Sequence, residues 1–153
     1  MKNYFFLAIA FLLSAALLAQ NTGPILIETQ QTALLLNVGS NQRVVQSYFG
    51  KKLPAEDYTQ LKGGREVYLT AGMDNQFEPS IRMIHNDGNP SLELKFVSRK
   101  TETNGNITHT IIQLKDPAYP VEVSVHYMSY FKEDVIKTWT TIRHEEKKAV
   151  LLT

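Results

Sequence analysis

The chain has 153 residues, enough for one domain and not comfortably for two. Its 16 Lys and Arg against 15 Asp and Glu leave a formal charge of +1 with no block of either sign, so neither a nucleic-acid footprint nor a membrane-binding basic stretch is present. The absence of cysteine excludes disulfides, a thiolate nucleophile and lipid attachment at a cleavage-site Cys.

Residues 1–19 read as a secretory signal peptide. Lys2 gives a short positive start, an apolar run follows from Tyr4, and Ser14, Ala15, Ala16 and Ala19 supply small residues for cleavage near Ala19. The run is short for a membrane span, which needs roughly 20 residues. An uncleaved anchor is the alternative, and either reading predicts export to the periplasm or medium, with no membrane association after cleavage. Loss of Lys2 brings the charge of residues 20–153 to about zero.

The remainder reads as strands. Residues 32–38 form a buried-looking apolar run, and residues 43–49 follow after Gly39, Ser40 and Asn41. Over residues 91–99, Leu92, Leu94 and Phe96 fall on one face. Asn104-Gly105 separates this stretch from residues 107–114, predicting a hairpin that pairs residues 91–101 with 107–115. After a corner at Asp116, Pro117 and Pro120, Val121, Val123, Val125 and Tyr127 alternate with Glu122, Ser124, His126 and Met128, the cleanest period of two in the chain. Residues 135–143 around Trp139 and residues 149–153 give two more strand signals. No helical period follows the signal segment, so the expected fold is all-β, an antiparallel β-sandwich. Residues 50–79 are the exception, with Gly63, Gly64, Gly72, Pro54 and Pro79 and few strand signals. A long irregular segment is either a functional loop or an ordinary crossover. The apolar finish at residues 149–153 reads as a chain cut within its sandwich.

A search for chemistry finds no complete apparatus. No two of His85, His109, His126 and His144 have helical metal spacing, although His109 and His126 can meet across adjacent strands. His85 and His144 read as surface groups at strand ends. No serine lies in G-x-S-x-G, and Gly63-Gly64 lacks the further glycine and the Lys of a phosphate loop. The carboxylates cannot be paired for glycoside chemistry from sequence. Asn106-Ile107-Thr108 matches a glycosylation sequon and reads as a loop residue opening a strand. No cofactor or metal is expected. Most aromatics read as core, whereas Tyr58, Tyr68 and Phe77 lie in the irregular segment and are candidates for exposure and sugar stacking.

Several runs carry a resemblance: 85–94 (HNDGNPSLEL), 106–120 (NITHTIIQLKDPAYP) and 132–145 (KEDVIKTWTTIRHE), with Glu28-Thr29 and 48–53 (YFGKKL). In this order they resemble the N-terminal domain of glycoside hydrolase family 36 α-galactosidases over residues 25–153. The resemblance implies a β-supersandwich, incomplete in residues 20–153, packed on a (β/α)8 barrel. There, two aspartates beyond Thr153 hydrolyse terminal α-galactosides with retention. No catalytic residue carries over. The resemblance also implies a homo-oligomeric parent in which the long loop reaches a neighbouring subunit's active site. That loop corresponds to residues 72–79, where Asp74 is a candidate hydrogen-bond acceptor for sugar hydroxyls and Phe77 a candidate platform. Many members carry Asp-Phe/Tyr-Arg-x-Pro there, and the Arg is missing here. The alternative is a stand-alone carbohydrate-binding or oligomerisation sandwich.

Overall fold

The computed structural model describes residues 23–73 and 76–153. Residues 1–19, read above as a signal peptide, and Asp74 lie outside the described residues. Two four-stranded antiparallel sheets dominate, one of β1 (Ile25–Glu28), β2 (Thr32–Val38), β3 (Val44–Lys51) and β4 (Arg65–Glu66). The other joins β6 (Lys95–Asn104), β7 (Ile107–Lys115), β8 (Val121–Tyr130) and β9 (Val135–His144) in sequence order. A single helical turn, α1 (Ala55–Tyr58), follows β3, a departure from the strand-only expectation. The short strands β5 (Met83–Ile84) and β10 (Leu151–Leu152) pair with each other. Among the described residues no helix is long and apolar enough to cross a membrane.

One apolar cluster joins the sheets. Ile25, Ile27, Leu34, Leu36 and Val44 of the first meet Phe96, Ile112, Leu114, Val123 and Val125 of the second. This is the sandwich that the alternation implies, because period-two apolar residues on both inner faces must be covered. β8 alternates buried and half-buried along its whole length, with Val121, Val123, Val125, Tyr127 and Ser129 inward. β2 is apolar without alternation for a different reason. Its outer face is also covered: Ala33 and Leu35 pack with Tyr58 of α1, and Tyr48, Leu53 and Leu61 close around them. A strand buried on both faces loses its polar alternate residues.

The β6–β7 hairpin has the expected partners with a shifted start. Residues 91–94 precede the strand, although Leu92 and Leu94 are buried in the core, and β6 begins at Lys95. The register ends on Asn104↔Ile107, so Gly105 and Asn106 form the loop rather than Asn104 and Gly105. Gly105 has φ 58° and Asn106 is not left-handed, which is the type II′ pattern with glycine first. Asn106 sits in the loop as its sequon reading requires.

Residues 50–94 are organised by scattered contacts. Gly64 (φ 124°) passes so close to β3 that a Cβ there would lie 1.9 Å from the Gln46 carbonyl oxygen, so only glycine fits. The buried Thr70 hydroxyl donates to the Leu92 carbonyl at 2.6 Å. A bridge between Thr70 and Ile81 closes the neck of the loop that carries residues 71–80. At its far side the Asp116 carboxylate accepts the Glu93, Ala118 and Tyr119 amides, fixing the corner before β8.

His85 corrects the sequence reading. It is buried, at 2% exposure, rather than on the surface. Its Nδ1 lies 2.6 Å from Glu146 Oε1 and its Nε2 2.8 Å from the Ser91 carbonyl oxygen. The second Glu146 oxygen accepts the Asn86 amide, and Tyr119 stacks on the imidazole at 3.5 Å. Burial raises the Glu146 carboxyl, but the His85 and Asn86 hydrogen bonds outweigh it and hold the group below the ordinary carboxylate value. The pair ties the stretch after β9 to the loop before β6. Its local sequence, a polar Asn-Asp-Gly turn, gives no hint of a partner 61 positions away. His144 is exposed at the end of β9, as read.

Candidate functional site

The projecting loop is built upward from its neck. Ala71 donates to Ile81 and Ser80 to Leu69 through the backbone, so the loop leaves and re-enters the fold at one place. Gly72 adopts φ 81°, and a Cβ there would come 3.1 Å from Ser91 Cα, which lets the loop lie against residues 90–91. From that base the loop presents Gln76, Phe77 and Glu78 to solvent.

Phe77 is the centre of the site. Its side chain is 55% exposed, a large apolar ring kept out of the core. The Arg65 guanidinium lies over it, 4.3 Å from the ring centroid, an arrangement that stabilises both groups by about 0.5–1 kcal/mol at an exposed position. Arg65 comes from β4, so the stack couples the loop to the first sheet. Depressions flank the ring on two sides. One, of about 320 Å³, is lined by Thr70, Gln76, Glu78 and Arg82 among others. The second, of about 290 Å³, lies between Phe77 and the Arg43, Glu66 and Leu69 side. Tyr58 and Tyr68, the other two aromatics of the irregular segment, are buried at 7% and 8% exposure. They serve the core and not a binding face, and Phe77 alone of the three meets the expectation of exposure.

The depressions are lined in good part by polar and charged side chains. Glu78 is paired with Arg82 at 2.8 Å and Glu66 with Arg43 at 3.9 Å. Each depression thus carries one acid in contact with a guanidinium. Amide, carboxylate and guanidinium groups around a half-exposed ring suit a polyhydroxylated ligand, whose hydroxyls hydrogen-bond while its C–H face meets the ring. Arg65 was not foreseen as part of this site. Its one available signal is its place beside Gly63-Gly64, a turn that returns the chain to β3. Among the described residues no group of three or more His, Asp or Glu is arranged to hold a metal ion.

The fold has close counterparts among solved structures. The galactosidase domain of the α-galactosidase–sucrose kinase AgaSK superposes with a TM-score of 0.73 at 17% identity, covering 85% of this chain and 23% of that one. The family 36 α-galactosidase AgaB from Geobacillus stearothermophilus gives 0.73 at 14% identity, covering 86% and 22%. A variant of AgaA from the same organism, in complex with raffinose, gives 0.72 at 12% identity, covering 85% and 23%. At these identities the likeness establishes the fold, and the chain spans less than a quarter of each structure's length. No curated protein sequence matches the chain. Residues 41–153 match the model of the glycosyl hydrolase family 36 N-terminal domain, and on that match the chain belongs to this family as its N-terminal, non-catalytic β-sandwich.

Proposed function

We propose that the chain serves as the N-terminal part of an exported α-galactosidase, supporting a barrel active site that lies outside these 153 residues. The family match over residues 41–153 carries this reading. The role assigned to the chain is to brace the barrel and to present the loop of residues 72–79 toward a terminal α-galactoside bound there. In the loop, Asp74 accepts hydrogen bonds from sugar hydroxyls and Phe77, stiffened by Arg65, offers a ring face. The parent enzyme is a homo-oligomer in which this loop serves a neighbouring subunit, and it acts in the periplasm or outside the cell.

The loop assignment is tested by titrating raffinose into the chain and into its Phe77→Ala and Asp74→Ala variants by calorimetry. Heat that saturates in the parent chain and is lost in both variants supports a direct sugar contact. Binding that is unchanged in both variants removes the loop from the site. A strong, loop-dependent affinity in the isolated chain favours the stand-alone binding module instead, because a loop that completes another subunit's site contributes only part of the contacts.

A further inference from the structure

β8 and β9 carry different residues on the same inner face. Tyr127 lies opposite Thr138 in register, and Val125 opposite Thr140. The two β8 side chains are buried, whereas the two threonines are exposed. The first sheet explains the difference, because it ends on β4, which has 2 residues against the 10 of β9. Past that short edge the inner face of β9 is uncovered. Threonine suits the position, since it is a β-branched strand former that also offers a hydroxyl to solvent.

The two sheets leave a cleft of about 410 Å³ between them here. Val67 and Tyr68, with the β4 residues, form one wall, and Val125, Tyr127, Thr138 and Thr140 form the other. Tyr68 is 8% exposed, and its phenol meets the Thr140 side chain across the cleft. Tyr127 is 7% exposed, and among the described residues its hydroxyl has no hydrogen-bond partner. Every fully enclosed side-chain polar atom among the described residues is partnered, so this hydroxyl is not sealed in the core and opens on the cleft. A phenol held so deep without a partner keeps its desolvation cost until a ligand or water supplies one. The charged groups at the rim are already engaged, Glu66 with Arg43 at 3.9 Å and Arg65 with the Phe77 ring at 4.3 Å. The groups left with capacity are neutral: phenol and threonine hydroxyls and the Gln46 amide, over an apolar floor with two aromatic rings.

We propose that this cleft binds a neutral sugar, one hexopyranose unit entering between β4 and β9, with the Tyr127 hydroxyl as its buried hydrogen-bond partner. A sugar ring answers each feature. Its hydroxyls both donate and accept, as Tyr127, Thr138, Thr140 and Gln46 require, and its C–H face packs on an aromatic ring. The volume of about 410 Å³ falls within the range of small-ligand sites. Arg65 borders both this cleft and the Phe77 ring, while no described residue of the loop 72–79 lines the cleft.

Galactose titrated into the isotope-labelled whole chain, followed by amide nuclear magnetic resonance, tests the site by position. Saturable shifts at Val67, Tyr68, Thr138 and Thr140 are expected. Tyr127→Phe removes one oxygen and keeps the ring, and it should raise the half-saturation concentration by roughly 2- to 10-fold, the scale of one neutral hydrogen bond. Lys100→Ala, an exposed change on β6, should leave it unchanged. Shifts confined to residues 72–79 would overturn the cleft and leave the loop assignment standing, whereas shifts confined to the cleft would support it and count against the loop. Shifts that do not saturate, or a midpoint that Tyr127→Phe does not move, overturn the site. The shift map of the parent chain involves no substitution, so it decides even where a variant fails to fold.

Discussion

The sheet of β6–β9 and the irregular stretch of residues 50–94 are held together by opposite means. In the sheet, each strand pairs with its neighbour in sequence through a short turn, and the register runs without interruption from Val121↔His144 to Tyr130↔Val135. Its stability is spread over many equivalent ladder bonds and a shared apolar face. The irregular stretch has few ladder bonds and is fixed by single polar contacts to distant residues: Thr70 to the Leu92 carbonyl, Glu93 to Asp116, and His85 to Glu146. A distributed scaffold tolerates the loss of any one exposed contact. A point-fastened loop does not, because each buried partner left alone keeps its full desolvation cost. The candidate sugar-facing loop thus stands on a rigid sheet but is positioned by a few individual fasteners.

The largest expected break in this contrast is His85→Ala. Both side chains of the pair are shielded from solvent, 0% for His85 and 1% for Glu146, so the variant strands a buried carboxylate and should lose about 3–5 kcal/mol. Urea unfolding measures it, and Lys100→Ala in the sheet, an exposed ion-pair partner, should change stability by no more than about 1 kcal/mol. Equal losses in the two variants would erase the distinction between fastener and scaffold.

The core of the sheet gives the next effect, through pH. Burial pushes the Tyr127 phenol up to about 12 from its ordinary 10.0. The unfolded chain ionises first, so Tyr127 contributes its full stability below pH 10 and loses it as pH rises toward 12. The total loss is on the order of 2–3 kcal/mol. Unfolding free energy measured across that window should fall in the parent chain and fall less in Tyr127→Phe.

Thr70→Val comes third. It leaves the Leu92 carbonyl without its buried donor and should cost about 1–3 kcal/mol. Because the contact fastens the neck residue Thr70 to Leu92, hydrogen exchange at Ala71 and Ser80 should quicken while exchange in β8 stays slow. The smallest effect belongs to Phe77→Ala, an exposed change expected to shift global stability by less than about 0.5 kcal/mol. If Phe77→Ala destabilises like a core substitution, its ring is a structural prop and not a presented surface.

The same contrast explains what was legible in the sequence. Period-two alternation announced β8 with its inward face, and the double-faced burial of β2 showed as an unbroken apolar run, because both patterns arise from local geometry. The hairpin was placed but its loop was misassigned by one position. Asn-Gly suits two left-handed residues, whereas the ladder here ends on Asn104↔Ile107 and only Gly105 of the two loop residues is left-handed. β1 went unread because four residues after Gly-Pro carry too little pattern, and β5 because two residues carry none. The polar fasteners left no signal, since a contact between His85 and Glu146 has no period. Of the site, Phe77 was visible as an aromatic in an irregular segment, but Arg65 over its face and the burial of Tyr58 and Tyr68 depend on tertiary approach.

In the role proposed for it, this sandwich supports an α-galactosidase without performing the reaction. The most direct test of this is release of nitrophenol from nitrophenyl α-galactoside by the purified chain, with folding verified by circular dichroism. No release above buffer is expected at any chain concentration. Release that is proportional to chain, saturable in substrate and competed by galactose would contradict it, and would place a complete catalytic pair within these 153 residues.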